Sequence, residues 1–149
     1  MFMGKKNIII FSTALIVIIL DQLTKYFIKN NFQLNQSVPL IKNILHLTYV
    51  SNTGSAFGLF KNFNSFFTLF SAIVIIVIFY YLKKIRQDET KIQFAVSLLL
   101  GGTIGNLIDR MLYGAVTDFI DFRIWPVFNV ADSAVTVSVV ILIFLLWEK

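Results

Sequence analysis

Residues 7–28 form the stretch that decides the fold, and they read NIIIFSTALIVIILDQLTKYFI. Residues 7–20 carry no charge, and Asp21 and Lys25 are the charged residues that interrupt the remainder. A bilayer core of about 30 Å is crossed by about 20 mostly apolar helical residues, so this stretch predicts a transmembrane helix. Two lysines in front of it are also typical of a signal peptide, but no small-residue cleavage site follows and hydrophobicity resumes after Lys25.

The composition of the whole chain agrees with a membrane protein. Its 149 residues are 57% apolar and 14% charged, whereas a soluble domain is roughly 45–50% apolar and about 25% charged. The aromatic content of 15% excludes disorder, and the lack of Cys excludes disulfides and thiolate chemistry. A single His argues against a histidine metal cluster. We expect one integral membrane domain over residues 1–149, with no metal and no nucleic-acid partner.

Four apolar segments are long enough to cross a bilayer. We expect the spans at about 7–28, 62–82, 92–112 and 127–147, with Pro126 at the entrance of the fourth. All four should be helices, because lipid cannot satisfy free backbone polar groups. Basic residues crowd the connection 83–91, which an even number of crossings places on the same side as both termini. The positive-inside rule identifies that side as the cytoplasm.

The two segments on the outer side carry strand patterns. Residues 45–50 alternate between apolar and other side chains, and residues 116–122 place Asp118 on one face of a second strand. The expected fold class is therefore a membrane all-α core of four transmembrane helices with a small extracytoplasmic β-rich cap.

The acidic residues are concentrated at the outer end of this predicted bundle. Five of the eight map to outer helix ends or outer loops, namely Asp21, Asp109, Asp118, Asp121 and Asp132. Ionisable groups in a membrane segment are costly and usually face a bundle interior or a wet cavity. Five acids at one depth therefore predict a common polar site near the outer surface.

The third predicted helix carries a polar stripe with spacings of three and four residues. The stripe consists of Gly102, Asn106, Asp109 and Arg110. Gly101 and Gly105 form a small-xxx-small pair, which favours close helix packing. We interpret Asp109 and Arg110 as a structural ion pair or an anchor for the loops, and Asp21 and Lys25, at i and i+4, as a second neutralised pair.

Asp118 and Asp132 have no such obvious cation beside them. Each could be an ordinary loop or helix-entry residue bonded to backbone amides, and spacing alone leaves this open. If the two meet, they cannot both ionise easily, so one keeps a proton near neutral pH. The ionised member could then take a proton from water while the neutral one polarises a peptide carbonyl and later protonates the amine. That chemistry hydrolyses a peptide without Ser, Cys or metal.

Five motifs in order along the chain resemble those of the bacterial lipoprotein signal peptidases, also called type II signal peptidases. They are Asp21-Gln-Leu-Thr-Lys25, Asn52-Thr-Gly-Ser-Ala-Phe-Gly58, Gly101-Gly-Thr-Ile-Gly-Asn-Leu-Ile-Asp-Arg110, Val116-Thr-Asp-Phe-Ile-Asp121 and Phe128-Asn-Val-Ala-Asp-Ser133. The resemblance covers residues 21–133. Ser55, where Ala is usual, and Thr117, where Val is common, depart from the family pattern without replacing an acid.

The resemblance implies an aspartyl endopeptidase of the bacterial cytoplasmic membrane, with its site near the outer leaflet beneath an external β-cradle and a loop. Its partners would be membrane lipids and prolipoproteins carrying a diacylglyceryl-modified Cys, cut just before that Cys. No cofactor is implied, and we expect a monomer. The family's catalytic dyad falls on Asp118 and Asp132, its supporting shell on Asn52, Gly54, Asn106, Asp109, Arg110 and Asn129, and its structural pair on Asp21 and Lys25.

Three other functions compete with this one. A membrane serine peptidase could use Ser55 with Lys61, although no GxSxG elbow surrounds the serine. A proton-coupled transporter would need polar residues across the bilayer, whereas Ile8–Leu20 and Phe66–Leu82 contain few. A purely structural subunit would leave the clustered acids without a purpose.

Overall fold

The computed structural model describes residues 5–54 and 63–147, which form four helices and one three-stranded sheet. In chain order the elements are α1 (Lys5–Asn31), β1 (Ser37–Ile41), β2 (Leu45–Asn52), α2 (Asn64–Leu82), α3 (Thr90–Tyr113), β3 (Val116–Asp121) and α4 (Val130–Trp147). A mostly helical fold with a small sheet is therefore confirmed. Ser55 and Lys61, the alternative dyad, lie outside the described residues.

Three of the helices, α1, α2 and α3, are long and apolar enough to cross a membrane. At a rise of about 1.5 Å per residue, their 19 to 27 residues extend roughly 28–40 Å. The apolar part of α4, Val130–Leu145, is shorter. Half of the most apolar stretch of α3 is buried inside the protein, whereas α1 and α2 expose most of theirs. The central helix is therefore α3.

Two helix boundaries differ from the sequence prediction in ways that matter for the site. Helix α1 continues past residue 28 to Asn31, and α4 begins at Val130 rather than at residue 127. The later start of α4 has a local cause, because Phe128 is still paired with β3: its N–H donates to the carbonyl of Ile120 at 3.1 Å. Asp132 consequently lies in the first turn of α4.

Small residues let α3 approach both of its main neighbours. A methyl group built on Gly101 would lie 2.8 Å from the carbonyl oxygen of Ala14 on α1. One built on Gly102 would lie 2.5 Å from the carbonyl oxygen of Ala131 on α4. The close helix packing predicted from the glycines is confirmed, and it occurs on two sides of α3.

The sheet is antiparallel in the order β1-β2-β3, and β3 joins it to the end of α3. The alternation in the sequence correctly predicted β2 and β3, while β1 was not expected; its Pro39 is tolerated because β1 is an edge strand. Gly114 caps the C-terminal end of α3, and its φ of 71° is the left-handed conformation that glycine adopts without strain. This abrupt turn directs β3 back against α3.

Candidate active site

Asp118 on β3 and Asp132 on α4 line one groove with a volume of about 600 Å³. The side chain of Asn129 connects them. Its Nδ2 donates a hydrogen bond to Oδ1 of Asp118 at 2.7 Å, and its Oδ1 accepts the backbone N–H of Asp132 at 2.8 Å. The spacing in the sequence could not establish that the two acids meet, and the fold brings them to the same groove.

Asp132 is both a helix-entry residue bonded to a backbone amide and a residue of the groove that Asp118 lines, the two roles that the sequence left open. Its Oδ2 accepts the backbone N–H of Asn129 at 3.2 Å, which completes a reciprocal capping box at the start of α4. Its Oδ1 accepts a hydrogen bond from Nδ2 of Asn106 at 2.7 Å. A carboxylate in the first turn of a helix is stabilised by the partial positive charge of that terminus. The helix-entry residue is therefore also a groove residue held by donors on both oxygens.

Asp118 is almost completely buried, with 2% of its surface exposed. Its Oδ2 accepts a hydrogen bond from Nδ2 of Asn52 at 2.8 Å, and the backbone N–H of Gly54 fixes that amide by donating to its Oδ1 at 3.0 Å. Burial, and secondly the negative charge of Asp132, raise the pKa of Asp118 to about 7, although the hydrogen bonds from Asn52 and Asn129 oppose this. A large fraction of Asp118 is therefore protonated at neutral pH.

A buried charge cluster lies behind the two acids. The ammonium of Lys25, 1% exposed, lies 2.8 Å from Oδ2 of Asp21 and 3.5 Å from Oδ2 of Asp109. It also donates to Oδ1 of Asn106 at 2.9 Å. The second oxygen of Asp21 accepts the backbone N–H of Ala131 at 2.9 Å. The predicted Asp21–Lys25 pair is confirmed, and it also ties α1 to the start of α4.

The predicted Asp109–Arg110 ion pair is wrong, whereas the contact of Asp109 with Thr117 agrees with the alternative of an anchor for the loops. Asp109 is fully buried, pairs with Lys25 and with Lys29 (Nζ to Oδ1, 3.8 Å), and accepts the backbone N–H of Thr117 at 2.9 Å. Consecutive helical residues do not face each other, so Arg110 points elsewhere. Its guanidinium carbon lies 5.5 Å from the centre of the Phe67 ring, and the residue lines the groove.

Asp121 does not belong to the common polar site that the sequence predicts for the five acids. It lies three residues after Asp118, and side chains alternate along a strand, so the two acids point to opposite faces of β3. Asp121 accepts from Oγ1 of Thr48 at 2.7 Å and pairs with Nη1 of Arg123 at 3.1 Å. Although burial opposes the effect, these hydrogen bonds lower the pKa of Asp121 below its ordinary value.

All of the expected supporting residues lie in this network or along the groove. They are Asn52, Gly54, Asn106, Asp109, Arg110 and Asn129. One contributor was missed. Gln22 donates to Asp21 at 3.1 Å, to the carbonyl of Gly105 at 3.1 Å and to Asp109 at 3.4 Å, and its place inside the first motif was the available signal. Among the described residues, no group of three or more His, Cys, Asp or Glu is arranged to hold a metal ion.

Known proteins are similar to this chain in sequence and in fold. A family model described as Signal peptidase (SPase) II matches residues 13–148. A lipoprotein signal peptidase of Moorella thermoacetica is 47% identical over 87% of this chain and 86% of the relative, and one of Halothermothrix orenii is 41% identical over 94% and 96%. A solved structure of a bacterial membrane enzyme superposes with a TM-score of 0.88 at 37% identity, over 99% of this chain and 90% of that one.

Proposed function

The chain belongs to the signal peptidase II family, and from this membership we propose that it removes signal peptides from prolipoproteins with Asp118 and Asp132 as its catalytic pair. It is a protease, a hydrolase of the aspartic class, and its long apolar helices are those of a membrane enzyme. One observation carries the assignment of the catalytic pair: two carboxylates line one groove, joined by the single side chain of Asn129.

The surroundings of the two acids support different protonation states. Asp132 lies at the positive end of α4 and accepts a backbone N–H and an amide N–H, all of which favour a carboxylate. Asp118 lies on a strand, is deeply buried, and has a pKa raised to about 7 by that burial and by the charge of Asp132. We therefore assign Asp132 as the ionised base and Asp118 as the neutral acid.

The reaction then follows from these two states. A water molecule adds to the scissile carbonyl carbon, its proton passes to Asp132, and the proton of Asp118 moves to the carbonyl oxygen. When the tetrahedral intermediate collapses, the C–N bond breaks and Asp132 protonates the leaving amine. Asp118 recovers its proton from the oxygen of the new carboxyl group, so both acids return to their starting states. Arg110, which lines the groove, is positioned to hold polar atoms of the peptide.

We assign the substrate class as prolipoproteins with a diacylglyceryl-modified Cys, cut just before that residue. The groove supports this class because apolar side chains form much of its wall, including Phe122, Trp125 and Val137. Each buried methylene of a lipid anchor contributes about 0.8 kcal/mol, so acyl chains can supply much of the binding free energy. Trp125 is 60% exposed, and tryptophan is enriched at membrane interfaces.

The proposed setting is the bacterial cytoplasmic membrane, with one domain over residues 1–149 acting as a monomer. All four helices cross the bilayer, both termini face the cytoplasm, and the dyad lies near the outer leaflet. The basic connection 83–91 supports this orientation, and the sheet strands follow the opposite ends of the helices, after α1 and α3. The short α4 fits a crossing in which its first turn is covered by the protein, because Asp21 and Asn129 satisfy its free N–H groups.

Cleavage by purified variants tests the proposal. Asp118→Asn and Asp132→Asn should each remove cleavage of a diacylglyceryl-modified precursor. An amide at position 132 can neither accept the proton of water nor return one to the amine, and an amide at position 118 cannot protonate the carbonyl oxygen. Asp88→Asn is the matched control, since that carboxylate is 67% exposed and pairs with Arg86 in the connection 83–91. An intact dyad variant with substantial activity contradicts the assignment. Equal cleavage of an unmodified precursor contradicts the substrate class.

A further inference from the structure

Lys25 is a buried ammonium that the reaction above does not use. It is 1% exposed and does not line the substrate groove. An ammonium carries three N–H donors and no acceptor. All three donors have acceptors within reach, on Asp21, Asp109 and Asn106. Two of these partners neutralise charge, whereas the third is a neutral amide that contacts the dyad.

The contact with Lys25 determines which way the amide of Asn106 is turned. Oδ1 of Asn106 accepts from Nζ of Lys25 at 2.9 Å and from Nδ2 of Asn129 at 3.1 Å, and its Nδ2 donates to Oδ1 of Asp132 at 2.7 Å. A reversed amide would place its NH₂ group against an ammonium and its carbonyl oxygen against a carboxylate. Both new contacts would be repulsive, so the charge on Lys25, together with the NH₂ group of Asn129, excludes that orientation.

The orientation of Asn106 controls what Asp132 can bind. With the amide free to turn, a protonated Asp132 could donate its proton to the carbonyl oxygen of Asn106. With the amide held by Lys25, Oδ1 of Asp132 faces an N–H donor that cannot be exchanged for an acceptor. Its Oδ2 faces the backbone N–H of Asn129, which is a donor in every state.

We propose that Lys25 is a positioning residue of the catalytic pair: by fixing the amide of Asn106, it keeps Asp132 ionised as the base. This role rests on the proposed function. The charged groups that face Asp132 are Asp118 from β3, Asp21 and Lys25 from α1, and Arg110 from α3. Lys25 is joined to the carboxylate through a single side chain, Asn106.

The pH dependence of kcat distinguishes this role from structural support. Lys25→Met keeps the length of the side chain and removes its charge. We expect kcat to fall, KM for a lipid-modified precursor to stay the same, and the acidic limb of the kcat profile to move up by about one pH unit. Lys29→Met is the matched control, because Lys29 pairs with Asp109 at 3.8 Å but contacts neither Asn106 nor either of the two acids. Its profile should stay in place even if its melting temperature falls.

Two further variants keep the test decisive. Asp21→Asn/Lys25→Met removes opposite charges together and leaves Asp109 paired with Lys29, so it offers a neutral background if the single variant does not fold. Asn106→Ala tests whether Lys25 acts on Asp132 through Asn106. In the Asn106→Ala background, Lys25→Met should cause no further shift of the kcat–pH profile. An unshifted profile in a folded Lys25 variant, equal shifts for Lys25 and Lys29, or additive shifts with Asn106→Ala would each overturn the proposal. The proposed function fails separately, if Asp118→Asn or Asp132→Asn still cleaves.

Discussion

Replacing Asp118 by Asn should stabilise the protein at pH 8 while it abolishes cleavage. Asp118 is 2% exposed, and burial together with the charge of Asp132 raises its pKa from 3.8 to about 7. In the folded protein the carboxyl is therefore neutral up to about pH 7, whereas in the unfolded chain it ionises near its ordinary pKa. The stability that this group contributes is fully present below about pH 4 and is lost as the pH rises through 7.

The size of the effect follows from two opposing free energies. A pKa difference of this size lowers the free energy of unfolding of the wild type by about 4 kcal/mol at pH 8. Asparagine avoids that penalty, but its NH₂ group must face one of two donors, Nδ2 of Asn52 or Nδ2 of Asn129. Leaving a buried donor unsatisfied costs about 1–3 kcal/mol. The variant should therefore gain about 1–3 kcal/mol in free energy of unfolding at pH 8. Each kcal/mol corresponds to a rise of roughly 2–4 °C in melting temperature.

Thermal unfolding of both proteins in the same detergent, from pH 4 to pH 8, checks this reasoning. At pH 4 the wild type has no ionisation penalty and should be the more stable protein, so the two curves should cross. Asp121→Asn on the same strand is a control that should change stability in the opposite direction. Hydrogen bonds lower the pKa of Asp121, so its ionised carboxylate stabilises the folded protein and the variant should lose stability at neutral pH. If melting temperature depends on pH in the same way for wild type and Asp118→Asn, Asp118 is not a buried, neutral carboxyl in the folded protein.

Four further predictions concern packing, substrate binding and topology. Gly102→Ala should destabilise the protein by about 1–3 kcal/mol in thermal unfolding, because its methyl group would lie 2.5 Å from the carbonyl oxygen of Ala131. Arg110→Ala should lower activity more than melting temperature, since Arg110 lines the groove and does not pair with Asp109; an equal loss of stability would contradict this. A reporter fused after Lys84 should be cytoplasmic and one inserted near Asn35 exterior, and the opposite result at either position would overturn the topology. Removing the diacylglyceryl group from a precursor should raise KM severely, measured by gel shift.

Local patterns in the sequence were sufficient for the four helices, for two of the three strands and for the family. An uncharged apolar run forms a helix whichever neighbours it meets, because its hydrogen bonds are internal and lipid admits few alternatives. Strand alternation is equally local, and it located β2 and β3 within a residue or two. The five motifs predicted the family and the two dyad positions from residue order alone. Each of these features depends on residues close together in the chain.

The partners of the charged groups were decided by the tertiary structure. Asp109 is adjacent to Arg110 in sequence, yet it pairs with Lys25 and Lys29 because the rotation of α3 directs it towards α1. Asp121 shares a motif with Asp118 but points to the other face of its strand. Asp21 binds a backbone N–H 110 residues away, at the start of α4. Such contacts depend on how whole helices are rotated and how closely glycines let them approach, and neither quantity can be read from spacing within one segment.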